Sequence, residues 1–262
     1  MKRLIGVFLF SLLLLGNVFA QEAKILYVKG KVSIKKDASA PWEKAKISTM
    51  LGKQAEVKTG AKSECTLSFD ETTKNILTLK ENSWVKLEDI KPANISLPQG
   101  RVFALIDDLA KVEKFEIRTP TAVAGVRGTG ESVEFNNGVS TVKCFTDTVY
   151  VQGLGAQGQS LNEQSLLEGF GINVDNAGAF GQAFALSEGD LQEWRRFEAS
   201  VGHMQRNAQA RGGDNGVGST SLDELKQDRQ QERSDAAYED ERRDERSSGG
   251  TGGGGGGTGF GT

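Results

Sequence analysis

The chain has 262 residues, of which 37% are hydrophobic and 33 are glycines. This composition is ordinary for a globular domain and excludes a chain that is too polar to fold. Its net charge is −3, and the acidic excess lies near the C-terminus, where residues 214–247 hold 11 acidic and 6 basic side chains. Residues 21–213 hold 24 of each kind. This balanced body offers no positive field for nucleic acid, so we expect no nucleic-acid partner.

Residues 1–20 are typical of a secretory signal peptide. Two basic residues precede an apolar run from Leu4 to Leu15, and the residues before position 21 predict cleavage between Ala20 and Gln21. An apolar run of this length is shorter than the ~20 residues that span a bilayer. We therefore expect an exported protein, periplasmic or secreted, that spans no membrane after cleavage.

The residues from Ala23 to about Val174 alternate between apolar and polar side chains, which predicts short β-strands. The Asn137-Gly138 pair predicts a tight hairpin, because both residues tolerate the positive φ angles of a type I′ turn. The continuous apolar run from Val102 to Ile106 is typical of a strand buried on both faces. The sequence thus predicts an all-β domain over residues 21–185, either a β-sandwich or a short β-roll.

A helical pattern follows the predicted β domain. Ser187 and Asp190 have the spacing of a capping box, and a single apolar stripe comes after them: Leu191, Trp194, Phe197, Val201 and Met204. We expect an amphipathic helix over residues 186–210 that docks on the β domain, with a partner-binding or coiled-coil helix as the alternative. Residues 211–262, charged and then glycine-rich, predict a flexible, disordered tail.

The sequence contains few side chains of the types that carry out catalysis. His203 is the single histidine, and no phosphate-binding or nucleophile motif occurs. Two acidic pairs could in principle serve a hydrolase: Asp70 with Glu71, and Asp107 with Asp108. Adjacent acids in turns are usually solvated, so we expect no enzyme activity, no cofactor and no metal.

Cys65 and Cys144 are the two cysteines, and each falls on the apolar side of its predicted strand. In an oxidising compartment such a pair could form a disulfide. The alternative is two unpaired thiols that pack as small apolar residues. The sequence slightly favours the second, since nothing in it places the two Cα atoms within bonding range.

The segment over residues 119–129 is the most distinctive in the chain. Thr119-Pro120 ends a predicted strand, small residues follow, and Arg127-Gly128-Thr129 closes the segment. Gly128 permits a sharp bend. An arginine among apolar neighbours needs acceptors for its five donors, so we expect Arg127 to tie adjacent loops together. The alternative is an anchor for an anionic ligand.

These motifs resemble the FecR domain of exported bacterial proteins over about residues 55–153. The segments that carry the resemblance are Val57–Gly60 with the strand that follows it, Leu97–Val102, Phe115–Ala122 through Thr129, Val149–Val151 and Leu167–Gly169. The resemblance implies a jelly-roll-like sandwich and brings no catalytic residues. Gly130, inserted before Glu131, departs from the family pattern.

The resemblance also suggests two hypotheses about the function. FecR itself is a membrane-anchored regulator with a cytoplasmic sigma-factor-binding segment, and in this chain we expect a cleavable signal in place of that front half. We expect a non-catalytic binding or scaffold module of the cell envelope that contacts an envelope protein or a surface polymer. The alternative is a periplasmic signal-transduction component that works through a separate membrane protein.

Overall fold

A computed structural model describes residues 22–212 apart from Arg127. Within this part of the chain seventeen strands and two helices follow one another. The strands of the first half are β1 (Ala23–Lys29), β2 (Val32–Lys35), β3 (Glu43–Lys44), β4 (Met50–Leu51), β5 (Glu56–Thr59), β6 (Glu64–Ser68), β7 (Asn75–Leu79), β8 (Trp84–Ile90) and β9 (Ala93–Ile106). The second half holds α1 (Leu109–Val112), β10 (Phe115–Arg118), β11 (Ala122–Val126), β12 (Gly130–Asn136), β13 (Val139–Thr146), β14 (Thr148–Leu154), β15 (Ser160–Leu167), β16 (Phe170–Val174), β17 (Phe184–Ala185) and α2 (Glu188–Gly212).

The strands form two layers that share one long strand. In the first layer the strand order is β4-β1-β6-β7-β9-β12-β13-β16-β17. In the second layer it is β3-β2-β5-β8-β9-β10-β11-β14-β15. Pairing is antiparallel throughout except between β9 and β10. The predicted all-β fold is confirmed, as two sheets that face each other across a core.

Gly100 divides β9 between the two layers. Residues before it pair with β8 and β10, and residues from it onward pair with β7 and β12. Before Gly100 the buried positions are Ile95 and Leu97, whereas after it Val102 and Ala104 face the same core, so the inward side changes parity. Gly100 has φ +93, and a Cβ there would collide with the Ser83 backbone. Glycine is therefore the residue that permits this strand to change sheets.

The hairpin between β12 and β13 forms as the sequence predicts. Asn136 pairs with Val139 across the turn, and the two residues between them have φ angles of 50 (Asn137) and 80 (Gly138). Two positive φ angles in succession define the type I′ geometry that matches the twist of paired strands. The hairpin fixes the register in which β12 enters the first sheet.

Helix α2 packs on the outer face of the first sheet. Ser187 and Asp190 form the predicted capping box, since the Asp190 amide donates to Ser187 Oγ at 3.2 Å and the Ser187 amide donates to Asp190 Oδ2 at 3.0 Å. The helix runs to Gly212, two residues past its predicted end. Four of the five stripe residues reach the second apolar cluster, whose members are Ile76, Phe103, Phe145, Trp194, Phe197 and Val201, with Leu26, Leu105, Leu186 and Leu191 packed against it. The predicted docking on the β domain is confirmed.

Trp194 lies at the centre of this cluster. Its ring stacks on Phe145 with centroids 4.5 Å apart, and Phe103 lies 6.0 Å away. A Cβ at Gly130 would collide with the indole of Trp194. Gly130, which is an insertion relative to the family pattern, therefore leaves the space that the Trp194 side chain occupies.

Polar contacts at the edge of the apolar cluster fix the position of the helix. Arg101 donates two hydrogen bonds to the Glu193 carboxylate, at 3.0 and 2.8 Å, and Lys143 Nζ lies 2.6 Å from Asp190. Farther along the helix, Gln205 donates to the carbonyl oxygen of Thr73 at 2.8 Å. A bidentate arginine–carboxylate pair carries geometric specificity, so these contacts set the helix register. Within residues 22–212, Arg127 excepted, no helix is both long and apolar enough to cross a bilayer.

Candidate functional site

The predicted motif segment joins the two sheets through buried hydroxyl groups. Thr119 follows β10 and Thr121 precedes β11, and both side chains are buried. The hydroxyl of Ser140, on β13 of the other sheet, lies 2.6 Å from each threonine hydroxyl. Thr121 also donates to the carbonyl of Val174 at 3.2 Å, on β16. The motif threonines thus serve as a hydrogen-bonded tie between the layers.

Ser140→Ala tests this tie. The substitution removes one hydroxyl that both threonines share, and we expect the free energy of unfolding to fall by about 1–3 kcal/mol because buried partners lose a hydrogen bond. Urea unfolding followed by circular dichroism measures the change. Ser160→Ala is the matched control, since that exposed hydroxyl bonds Gln152 at 2.8 Å, and we expect its effect to stay within about 0.5 kcal/mol. Equal effects of the two substitutions would contradict the assignment.

The other motif residues have different surroundings. Pro120 is exposed between the two threonines, and Gly128 has φ +78 at the bend between β11 and β12. Thr129 is buried, its carbonyl accepts from the Ile106 amide at 3.1 Å, and its hydroxyl has no partner among the described residues. Arg127 lies outside the described residues, so its predicted role as a tie stays a prediction. Ala20 and Gln21 lie outside them as well.

Glu131 is a buried carboxyl that the sequence reasoning missed. It is fully buried on β12, paired in register with Ala104 and Cys144, which both face the main core. Neither carboxylate oxygen accepts a hydrogen bond from a described residue. Burial raises the pKa of Glu131 to about 8, because the charged form would lose its hydration. Val133, two residues farther along β12, is an apolar residue that faces the core. Because residues two apart on a strand share a face, this alternation could have predicted that Glu131 is buried.

The two cysteines are both buried and free, which corrects the disulfide alternative. Cys65 lies on β6 and Cys144 on β13, with β7, β9 and β12 between them in the same sheet. Four strand spacings of about 4.8 Å each place the two positions roughly 19 Å apart along the sheet, well beyond disulfide range. Burial raises the thiol pKa to about 12 for both Cys65 and Cys144. Both thiols act as small core residues.

The two acidic pairs are neighbours, since the Asn75 side chain donates to the Asp108 carbonyl at 2.8 Å while its backbone amide bonds Asp70. The Asp70 carboxylate accepts from the amides of Lys74 and Asn75 and shapes a turn. Asp107 is exposed, Asp108 is half-buried, and His203 is exposed on α2, with Nδ1 3.1 Å from the Asn207 amide nitrogen. In the described part of the chain no three metal-ligating side chains converge.

The outer face of the second sheet carries a row of side chains across four strands. Lys44 on β3 pairs in register with Ser33 on β2, Ser33 with Lys58 on β5, and Lys58 with Trp84 on β8. Lys58 Nζ lies 4.0 Å from the Trp84 ring centroid and 4.4 Å from that of Trp42, which precedes β3. We call these five residues the lysine–tryptophan row. A cavity of about 450 Å³ adjoins it, lined by Gly30, Lys31, Val32, Ser33, Trp42, Glu43 and Lys44.

A second exposed feature is the edge of the same sheet. β15 pairs with β14 and with no other described strand, and seven of its eight residues are exposed. Leu167 at its end is 61% exposed. A strand with one unpaired side presents backbone donors and acceptors to a partner strand, so β15 is a candidate protein-binding edge.

Comparison with known proteins gives a family and a structural likeness. No curated protein matches the chain. Two solved structures of a candidate anti-sigma factor from Parabacteroides distasonis are similar to it, each at 16% identity over 53% of this chain, with TM-scores of 0.42 and 0.43. The match spans 63% of those chains, less than two thirds of their length. The family model described as FecR protein matches residues 55–150. The FecR resemblance predicted from the motifs is thereby confirmed as a family-model match over residues 55–150.

Proposed function

We propose that this protein is a non-catalytic component of a signal-transduction system and acts by contact with another protein. The FecR family-model match over residues 55–150 is the observation that carries this proposal. The family takes its name from a regulator of sigma-factor activity, which favours the signalling hypothesis over a passive scaffold.

The predicted signal peptide supports a role outside the cytoplasm. Residues 1–20 have the basic start, apolar run and small-residue end of an exported chain. A regulator in that compartment has to pass its signal to a separate protein that spans the membrane. The unpaired edge of β15 supports such a contact, because a partner can add a strand there without displacing any described pairing.

Deletion of the gene in the native bacterium tests the proposal. We expect a defined set of transcripts to change, and we expect their levels to return when the full chain is supplied from a plasmid. A variant without residues 2–20 is the control, because it keeps the folded domain but loses the predicted export signal, and we expect it to fail. An unchanged transcriptome in the deletion strain would contradict the proposal.

A further inference from the structure

The lysines of the lysine–tryptophan row, Lys44 and Lys58, carry positive charges that no described carboxylate pairs with. Among the described carboxylates, Glu43 pairs with Lys36 at 3.0 Å, and Glu56 accepts from the Trp84 indole at 2.8 Å and faces Lys35 at 3.8 Å. No described carboxylate pairs with Lys44 or Lys58, nor with Lys31 at the adjoining cavity. Lys31 and Lys44 therefore line the cavity beside a single carboxylate, that of Glu43, which pairs with Lys36, and Lys58 lies next to the cavity on the row. Such a surface attracts an anionic ligand.

The tryptophans of the row hold a flat apolar surface beside these cations. Trp42 is 41% exposed and lines the cavity. The Trp84 indole donates to the Glu56 carboxylate, and this hydrogen bond fixes the Trp84 ring. Lys58 extends between the two rings, and the favourable cation–π contact holds its ammonium group in place. An exposed indole beside ordered cations suits a ligand that has both an apolar face and negative charge.

The shape of the row distinguishes between classes of anion. Its four in-register positions, on β3, β2, β5 and β8, extend for roughly 14 Å across the sheet at about 4.8 Å per strand. β2 and β5 are paired on both sides and the edge strand β3 has only two residues, so the face offers few free backbone groups to an extended peptide. The balanced charge of residues 21–213 offers no long-range field for nucleic acid. A sugar ring, in contrast, stacks on an indole and keeps its hydroxyl groups hydrated.

We propose that the lysine–tryptophan row and its cavity bind an acidic oligosaccharide, with the carboxylates of uronic-acid units held by Lys31, Lys44 and Lys58 and a sugar ring stacked on Trp42. Ser33 lies between two of the lysines and can bond a sugar hydroxyl. This binding is independent of the proposed regulatory role, because it uses the face of the second sheet and not the edge at β15.

Isothermal titration calorimetry with an oligogalacturonate tests the proposal on the mature chain. We expect measurable binding at low salt, and at least a tenfold weaker affinity for Trp42→Ala and for Lys58→Ala. Lys53→Ala is the matched control, since it also removes one exposed lysine charge but that lysine pairs with Asp89 at 2.6 Å, and we expect it to bind as the unaltered chain does. Methyl-esterified oligogalacturonate, which lacks the charge, should bind at least tenfold more weakly.

Several outcomes would overturn the proposal. These are absence of binding by the unaltered chain, equal losses in Lys53→Ala and Lys58→Ala, and equal affinity for the methyl-esterified sugar. Equal affinity for polyglutamate would indicate an acidic peptide instead, and it would overturn the assignment to sugar. Circular dichroism of each variant confirms that it is folded before titration, and the exposed position of Trp42 makes its substitution compatible with folding.

Discussion

Replacing Trp194 by alanine is expected to lower the free energy of unfolding by about 3–5 kcal/mol. The indole is buried between α2 and the first sheet, stacks on Phe145 and occupies the space that Gly130 leaves open. Truncation removes that apolar contact and leaves a cavity that the rigid sheet cannot fill. Guanidinium unfolding, followed by far-ultraviolet circular dichroism, measures the loss.

Met204→Ala provides the comparison for this prediction. Met204 belongs to the same predicted stripe but is only half-buried and lies outside the apolar cluster. We expect its substitution to cost about 1 kcal/mol or less. A loss below about 1 kcal/mol for Trp194→Ala would mean that α2 contributes little to the stability of the domain, and that its docking is not part of the folded unit.

Glu131 is expected to make the protein less stable as the pH rises. The carboxyl has a pKa raised from 4.5 to about 8 by burial, so between these values the folded state keeps a proton that the unfolded state has lost. Because the unfolded state then binds fewer protons, the free energy of unfolding falls with pH, by up to about 1.4 kcal/mol per pH unit. The stabilisation is complete below pH 4.5 and is lost as the pH rises through about 8. The neighbouring Cys144, with a pKa raised from 9.0 to about 12, stays protonated in the folded state and ionises only slightly in the unfolded state below pH 8, so it adds little slope.

Glu131→Gln should remove this dependence. The amide has nearly the same shape but does not ionise, so we expect a flatter profile and a variant about 2–4 kcal/mol more stable than the unaltered chain at pH 8. Urea unfolding at pH 5, 6.5 and 8 gives the profile. Glu134→Gln on the same strand is the control, because that side chain is half-buried, and we expect it to keep the slope of the unaltered chain. A flat profile in the unaltered chain would contradict this account of Glu131.

The sequence predicted those parts of the fold that depend on neighbouring residues. The Asn137-Gly138 turn and the Ser187–Asp190 cap are local motifs whose geometry follows from a few residues, and both are found in place. The apolar stripe predicted the docked face of α2 because helical spacing alone determines which residues share a face. The run from Val102 to Ile106 was correctly predicted to be buried on both faces, by the core on one side and by α2 on the other.

The features that the sequence could not supply depend on distant pairing. The role of Gly100 appears only when β9 is seen to pair with different strands on its two sides. The lysine–tryptophan row arises from the register of four strands that are separated along the chain, so no local pattern contains it. The disulfide alternative for Cys65 and Cys144 could be settled only by the order of strands in the first sheet.

Photo-cross-linking in living cells tests most directly whether this protein acts by contact with a membrane protein. A photoreactive amino acid is placed at Leu167 on the open edge of β15, and at the similarly exposed Ile47, 58% exposed, as the control. Our account predicts a light-dependent adduct between Leu167 and one integral membrane protein, with none from Ile47, in cells whose transcription the variant restores. The absence of an adduct at Leu167 in such cells, or an identical adduct pattern from Ile47, would contradict it.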